Sequence, residues 1–115
     1  MSGRLSYLGE FEQVVLLAVA HLGDAASGPG LRAEIASRAG REVSIGAIYA
    51  TLDRLVAKGY LRARDEAGRE KADARVRRFF ALTREGAAAL EAARDMQARM
   101  WRGIDLRKAV KARKP

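Results

Sequence analysis

Ser44, Gly46, Tyr49, Thr51, Arg54 and Lys58 fall within one short stretch and offer hydroxyls, an aromatic edge and two cations. That set makes hydrogen bonds and ion pairs; it holds no nucleophile beside a base. The small residues Gly46, Ala47 and Ala50 among them let a helix approach another surface closely. Such a face suits the major groove of double-stranded DNA, which admits one helix. The plain alternative is an ordinary surface helix with small exposed residues. A second set, Arg69, Lys71, Arg75, Arg77 and Arg78, lies further on, interspersed with Glu66, Glu70 and Asp73. Its cations suit phosphate, although charges on a strand edge also serve simply to block edge-to-edge pairing. Arg32 adds a further exposed cation ahead of the first stretch.

Composition supports a polyanionic partner. Lys plus Arg number 22 against 14 Asp plus Glu, a formal charge of +8. Such a surplus favours nucleic acid or an anionic surface without choosing between them. There is no cysteine, which excludes disulfides and a Cys-based zinc site. The single histidine, His21, sits in an apolar helical run and reads as a helix-face residue. No Gly-rich phosphate loop or metal-ligand cluster is present, so neither an enzyme nor a cofactor is expected. No apolar run approaches the ~20 residues of a membrane span, and the N-terminus lacks a signal-peptide pattern. A cytoplasmic protein with no membrane partner is the expectation.

The elements that must position these residues can be read in order. Residues 1–9 form a short arm with Leu5, Tyr7 and Leu8 available for packing. Phe11, Val14, Val15, Ala18, Val19 and Leu22 recur at helical spacing and predict a central helix over about Glu10 to Leu22. Gly23 to Gly30 is a loop, with Pro29 fitting the first position of a second helix that buries Leu31 and Ile35 and closes at Gly40. Ser44 is a good N-cap and Gly59 a good terminator for a third helix, whose apolar stripe is Ile45, Ile48, Leu52 and Leu55. Tyr60 to Arg64 alternates as a half-buried strand, Asp65 to Asp73 is polar loop, and Val76 to Thr83 is a second strand. Three helices followed by a basic hairpin make a winged helix, in which the third helix enters the major groove.

Thr83 then caps a long Ala-rich helix with Leu90, Ala93, Gln97, Met100 and Ile104 at three and four residue steps, and Trp101 beside them. A winged-helix core is complete by Thr83, so this extra seam needs another partner. A second copy is the commonest one and matches a palindromic site; the alternative is a helix folded back on its own domain. The expected dimer interface is Phe11, Leu90, Ala93, Gln97, Met100, Trp101 and Ile104. The chain divides into a winged-helix domain at 1–83, a C-terminal dimerisation helix at 84–106 and a basic, frayed tail at 107–115. The fold class is mainly α with a small β-hairpin.

Leu8 to Leu17, Val43 to Gly59 with its Ser-x-Gly-x-Ile-Tyr-x-Thr-Leu-x-Arg-Leu-x-x-Lys-Gly pattern, and Arg78 to Gly86 together resemble the PadR family of bacterial transcriptional regulators. The resemblance runs from about residue 8 to about 101. It implies a winged-helix DNA-binding domain, dimerisation through the last helix and repression of a nearby promoter at a pseudo-palindromic operator. Carried onto matching positions, Ser44, Tyr49 and Thr51 lie near DNA and Arg54 toward its backbone. The chain departs from the family pattern at Asp73 to Arg77, where many members carry a Gly-Gly-Arg wing, at Phe79-Phe80 in place of Tyr-Tyr, and at Ser27 to Gly30 in place of Tyr-Gly. Some members bind planar aromatic compounds between their C-terminal helices. Trp101, with Met100 and Gln97, would line such a cleft; packing of the dimer is the plainer role for the same tryptophan. The rival function is a winged helix used for protein–protein contact, with no specific DNA site.

Overall fold

Glu12 folds back to accept a hydrogen bond from the Gly9 backbone N–H at 2.9 Å, which satisfies one of the donors left free at a helix start and opens α1 (Glu10–Leu22). The structure, a computed structural model, describes residues 7–67 and 76–111. After a short 3₁₀ turn, Ser27 caps α2 (Gly28–Ala39) by accepting from the Gly30 N–H at 3.1 Å. The helix ends at Gly40, whose φ of 63° is one that a side chain would resist. Ser44 caps α3 (Ile45–Ala57) through the Ala47 N–H at 3.0 Å.

The hairpin follows as β1 (Leu61–Ala67) and β2 (Val76–Leu82), antiparallel with Leu61 opposite Leu82 and Arg64 opposite Phe79. A single bridge from Ser27 to Phe79, with the Phe80 N–H donating to the Ala26 carbonyl at 2.9 Å, ties the hairpin to the entry of α2. Strand β1 is longer than its alternation predicts, because residues 65–67 pair instead of looping. Asp65 stands opposite Arg78 and Glu66 opposite Arg77, and opposite charges across a ladder support pairing.

The core lies where α1, α2, α3 and the hairpin base meet, built from Val15, Leu16, Val19, Leu31, Ile35, Ile48, Leu52, Leu55, Leu61 and Phe80. Leu16, absent from the predicted stripe of α1, is wholly buried, while Leu17 is 49% exposed. Tyr7 of the arm stands in solvent, and Leu8 packs against the core.

Thr83 joins the domain to α4 (Arg84–Trp101): its hydroxyl donates to the Gly59 carbonyl at 2.7 Å and accepts from the Gly86 N–H at 3.0 Å. Gly86 is required there, since a Cβ would overlap the Tyr60 carbonyl. The long helix is shorter than the 84–106 expected. Gly103, at φ 79°, turns the chain after Trp101, so Ile104 sits in the bend and not on the helix. Residues 107–111, expected as frayed tail, belong to α5 (Leu106–Lys111). The radius of gyration is 18.0 Å against about 13 Å for a compact chain of this length. α4 therefore projects: Leu90 packs against the core, and the helix is exposed from Arg94 onward.

Candidate nucleic-acid interface

Helix α3 buries Ile48, Thr51, Leu52 and Leu55 and turns Gly46, Ala47, Tyr49, Ala50, Asp53 and Arg54 outward. Two residues differ from the sequence reading. Thr51 is only 3% exposed; at three residues past Ile48 it shares the inward face, and its hydroxyl accepts from an Arg54 guanidinium nitrogen at 3.2 Å. It is therefore not on the exposed face of α3. Ile45, expected in the core stripe, is 36% exposed at the first turn. Ser44 is exposed, with its oxygen engaged as the cap. Tyr49 lies against α2, where its ring fills the place of a Cβ on Gly28. A Cβ on Gly46 would meet only the Ser44 Oγ, at 4.0 Å.

The cations at the end of α3 converge on a residue the sequence reading did not single out. Glu12 is 7% exposed. Lys58 Nζ donates to its two carboxylate oxygens at 3.1 and 3.0 Å, and Arg54 Nε reaches one of them at 3.4 Å. Lys58 thus points inward, contrary to its expected place on the DNA face. Burial pulls the Glu12 carboxyl upward, but the Gly9 N–H, Lys58 and Arg54 together hold it below the ordinary glutamate value. One signal was available: Glu12, Val15, Leu16 and Val19 share helical spacing, so an acid lies on the buried stripe.

On the hairpin, Arg78 Nε donates to Asp65 at 2.9 Å. This bond holds the aspartate below its ordinary value and the arginine above its own. Asp53 and Tyr49 on α3 add weaker electrostatic contributions that raise Arg78 in the same direction. Arg77 is exposed. Arg64 lies over the Phe79 ring, 4.9 Å from its centroid. Arg69, Lys71 and Arg75 lie outside the described residues. Arg32 is exposed on α2 and borders, with Pro29, Glu42 and Ile45, a shallow hollow beside the start of α3. The arrangement is a helix with an open small-residue face, flanked by a hairpin carrying exposed arginines.

Of the residues expected at a dimer seam, Phe11 and Leu90 are partly buried against the chain's own core, and Arg41 sits over the Phe11 ring. Ala93 is half-buried; Gln97, Met100, Trp101 and Ile104 are exposed, Met100 by 70% and Trp101 by 56%. The Trp101 indole N–H donates to the Gln97 side-chain oxygen at 3.3 Å.

The model of the transcriptional regulator PadR-like family matches residues 16–92, from α1 into α4. The chain belongs to this family. No curated protein sequence matches it. Among solved structures, this PadR-like chain is similar to a PadR family transcription regulator from Clostridium difficile R20291, at 17% identity and a TM-score of 0.67 over 80% of this chain and 91% of that one. It is similar also to Bacillus subtilis PadR in complex with operator DNA, at 19% identity and a TM-score of 0.62 over 71% and 45%. A third, the complex structure of hsRosR-S1, shares 26% identity with a TM-score of 0.64 over 91% and 87%. The winged helix-turn-helix fold is thereby shared, and the family is one of transcriptional regulators, not enzymes. Among the described residues no group of acids and histidine could hold a metal, and no helix is long and apolar enough to cross a membrane.

Proposed function

We propose that this PadR-like chain is a homodimeric repressor that binds a pseudo-palindromic operator with one α3 per half-site. The observation that carries this reading is the outer face of α3, where Gly46, Ala47, Tyr49 and Ala50 are exposed on a helix whose opposite side is core. Small residues allow the backbone to enter a groove, and the exposed part of Tyr49, whose hydroxyl end rests on α2, borders that face. Arg54, Arg77, Arg78 and Arg32, with Ser44 at the start of the helix, would meet the backbone, which supplies the salt-dependent part of affinity. Arg69, Lys71 and Arg75 belong to the same wing by sequence. The DNA-bound Bacillus subtilis PadR supports the choice of partner.

Dimerisation would use the exposed apolar seam of α4 and the residues after it, centred on Met100 and Trp101. Among the described residues, the far half of that seam, from Gln97 to Trp101, is exposed on the single chain. Half-site centres then lie roughly one DNA turn, ~34–36 Å, or a multiple apart. A planar aromatic effector lodged near Trp101, Met100 and Gln97 would change the separation of the two α3 helices and release the operator.

Selection of bound fragments from the source genome, followed by a gel shift at moderate salt, tests the reading. A discrete shifted species that survives competitor DNA is expected. Absence of any shift would favour protein–protein contact as the role of the winged helix. Quenching of Trp101 fluorescence by planar cationic dyes tests the effector site, and no quenching by any of them would count against it.

A further inference from the structure

The pair formed by Lys58 and Glu12 bears on which cations α3 can present. The two residues are distant in sequence, yet Lys58 Nζ sits 3.1 and 3.0 Å from the two carboxylate oxygens. The side chains are 27% and 9% exposed. Arg54 approaches the same carboxylate at a looser 3.4 Å and keeps 57% of its side chain in solvent. Extracting Lys58 would leave a carboxylate, shielded from water, with that looser cation and the Gly9 N–H as its remaining partners. Hydrogen bonds between ionised groups out of bulk water are stronger than a solvent-exposed ion contact. A phosphate reached at the rim of a groove offers only the latter, together with release of a counterion.

We propose that Glu12 is a positioning residue for DNA binding: it withholds Lys58 from phosphate and leaves Arg54 as the cation presented by the end of α3. This rests on the reading of α3 as the recognition helix. Its consequence is a division of labour set by α1. Part of the formal charge carried by α3 is spent internally, so sequence-independent attraction is weaker than a count of cations suggests. Contacts by Tyr49 and the small-residue face then make up a larger share of the affinity.

The test measures binding to an arbitrary duplex of about 20 base pairs by fluorescence anisotropy, between about 50 and 200 mM salt. Glu12→Gln keeps an oxygen for the Gly9 N–H and removes the charge that holds Lys58. Its slope of log affinity on log salt is expected to steepen by about 0.9, an extra ~3.5-fold loss of affinity across that range. Adding Lys58→Ala to Glu12→Gln should restore the wild-type slope. A merely structural role for Glu12 would lower affinity equally at both salts. Equal slopes for wild type and Glu12→Gln, or a double variant that stays steep, would overturn the proposal. Should circular dichroism show Glu12→Gln unfolded, the wild type decides. Its Glu12 carboxyl ¹³C resonance should not move on saturation with duplex, and a shift toward that of a free glutamate overturns the proposal. A wild-type chain with no duplex affinity at low salt removes the DNA-binding reading and this one with it. Salt-dependent wild-type binding with an unchanged Glu12→Gln slope removes this one alone.

Discussion

The ring of Tyr49 occupies the space that a Cβ on Gly28 would need, so the outer face of α3 and the first turn of α2 are locked together by an aromatic ring seated on a glycine. That contact fixes where the Tyr49 hydroxyl points. Gly28→Ala should displace the ring and cost about 1–3 kcal/mol of stability, the usual range for forcing extra volume into a packed site. Thermal melts would measure it. Tyr49→Ala removes the obstruction, so the double variant should recover most of what Gly28→Ala loses. A double variant as unstable as Gly28→Ala would mean that the ring is not what the methyl meets.

Glu12 makes stability depend on acid. Its folded-state pKa is depressed, so its contribution is fully present above the unfolded carboxylate value, about 4.3. It is lost as pH falls through that value and the lower folded one. Chemical denaturation at stepped pH should show Glu12→Gln less stable than wild type near neutrality, by about 1–3 kcal/mol for lost charged hydrogen bonds. The gap should narrow below pH ~4.3. A gap constant with pH would remove the ion pair as its source.

Arg77 and Thr51 separate outward from inward positions. Arg77→Ala should flatten the salt slope of duplex binding by about 0.9 if the arginine meets phosphate. Thr51→Val should leave base preference in selected operators unchanged and cost about 0.5–1.5 kcal/mol of stability, the worth of one hydrogen bond. Relaxed preference at a base pair in Thr51→Val would place that hydroxyl on DNA after all.

Much of this architecture was legible because caps and periods are local properties. Ser44, Thr83, Gly40 and Gly59 mark helix ends through their own backbone chemistry, and the stripe of Ile48, Leu52 and Leu55 needs only a helical repeat. Thr51 misled because motif position says that a residue belongs to a helix, whereas the side it faces depends on what packs beneath. Lys58 misled for the same reason: its inward turn depends on Glu12, a partner far away in the chain. The length of β1 was hidden too, since a polar run reads as loop until Asp65 finds Arg78 across the ladder. The end of α4 is set by Gly103, a signal that the apolar spacing reaching Ile104 does not carry.

Gly86 offers a check on how α4 is joined to the domain. Gly86→Ala would press a methyl into the Tyr60 carbonyl, and backbone yields less readily than a side chain. A loss in the upper part of about 1–3 kcal/mol is expected by thermal melt, with the helix displaced at its root. Wild-type stability would mean that the junction accommodates a side chain.

Met100 tests the seam. It is 70% exposed on a single chain, so Met100→Glu should barely change the stability of an isolated protomer while weakening association at least tenfold. Sedimentation across a dilution series would read this, and a variant that associates like wild type would exclude Met100 from the interface.

The most direct measurement for the account as a whole is the mass of the complex with a genome-selected operator duplex at low ionic strength, by sedimentation or light scattering. Two chains per duplex, and a dimer in the absence of DNA, are predicted. A chain that remains monomeric and fails to associate with the duplex would contradict it.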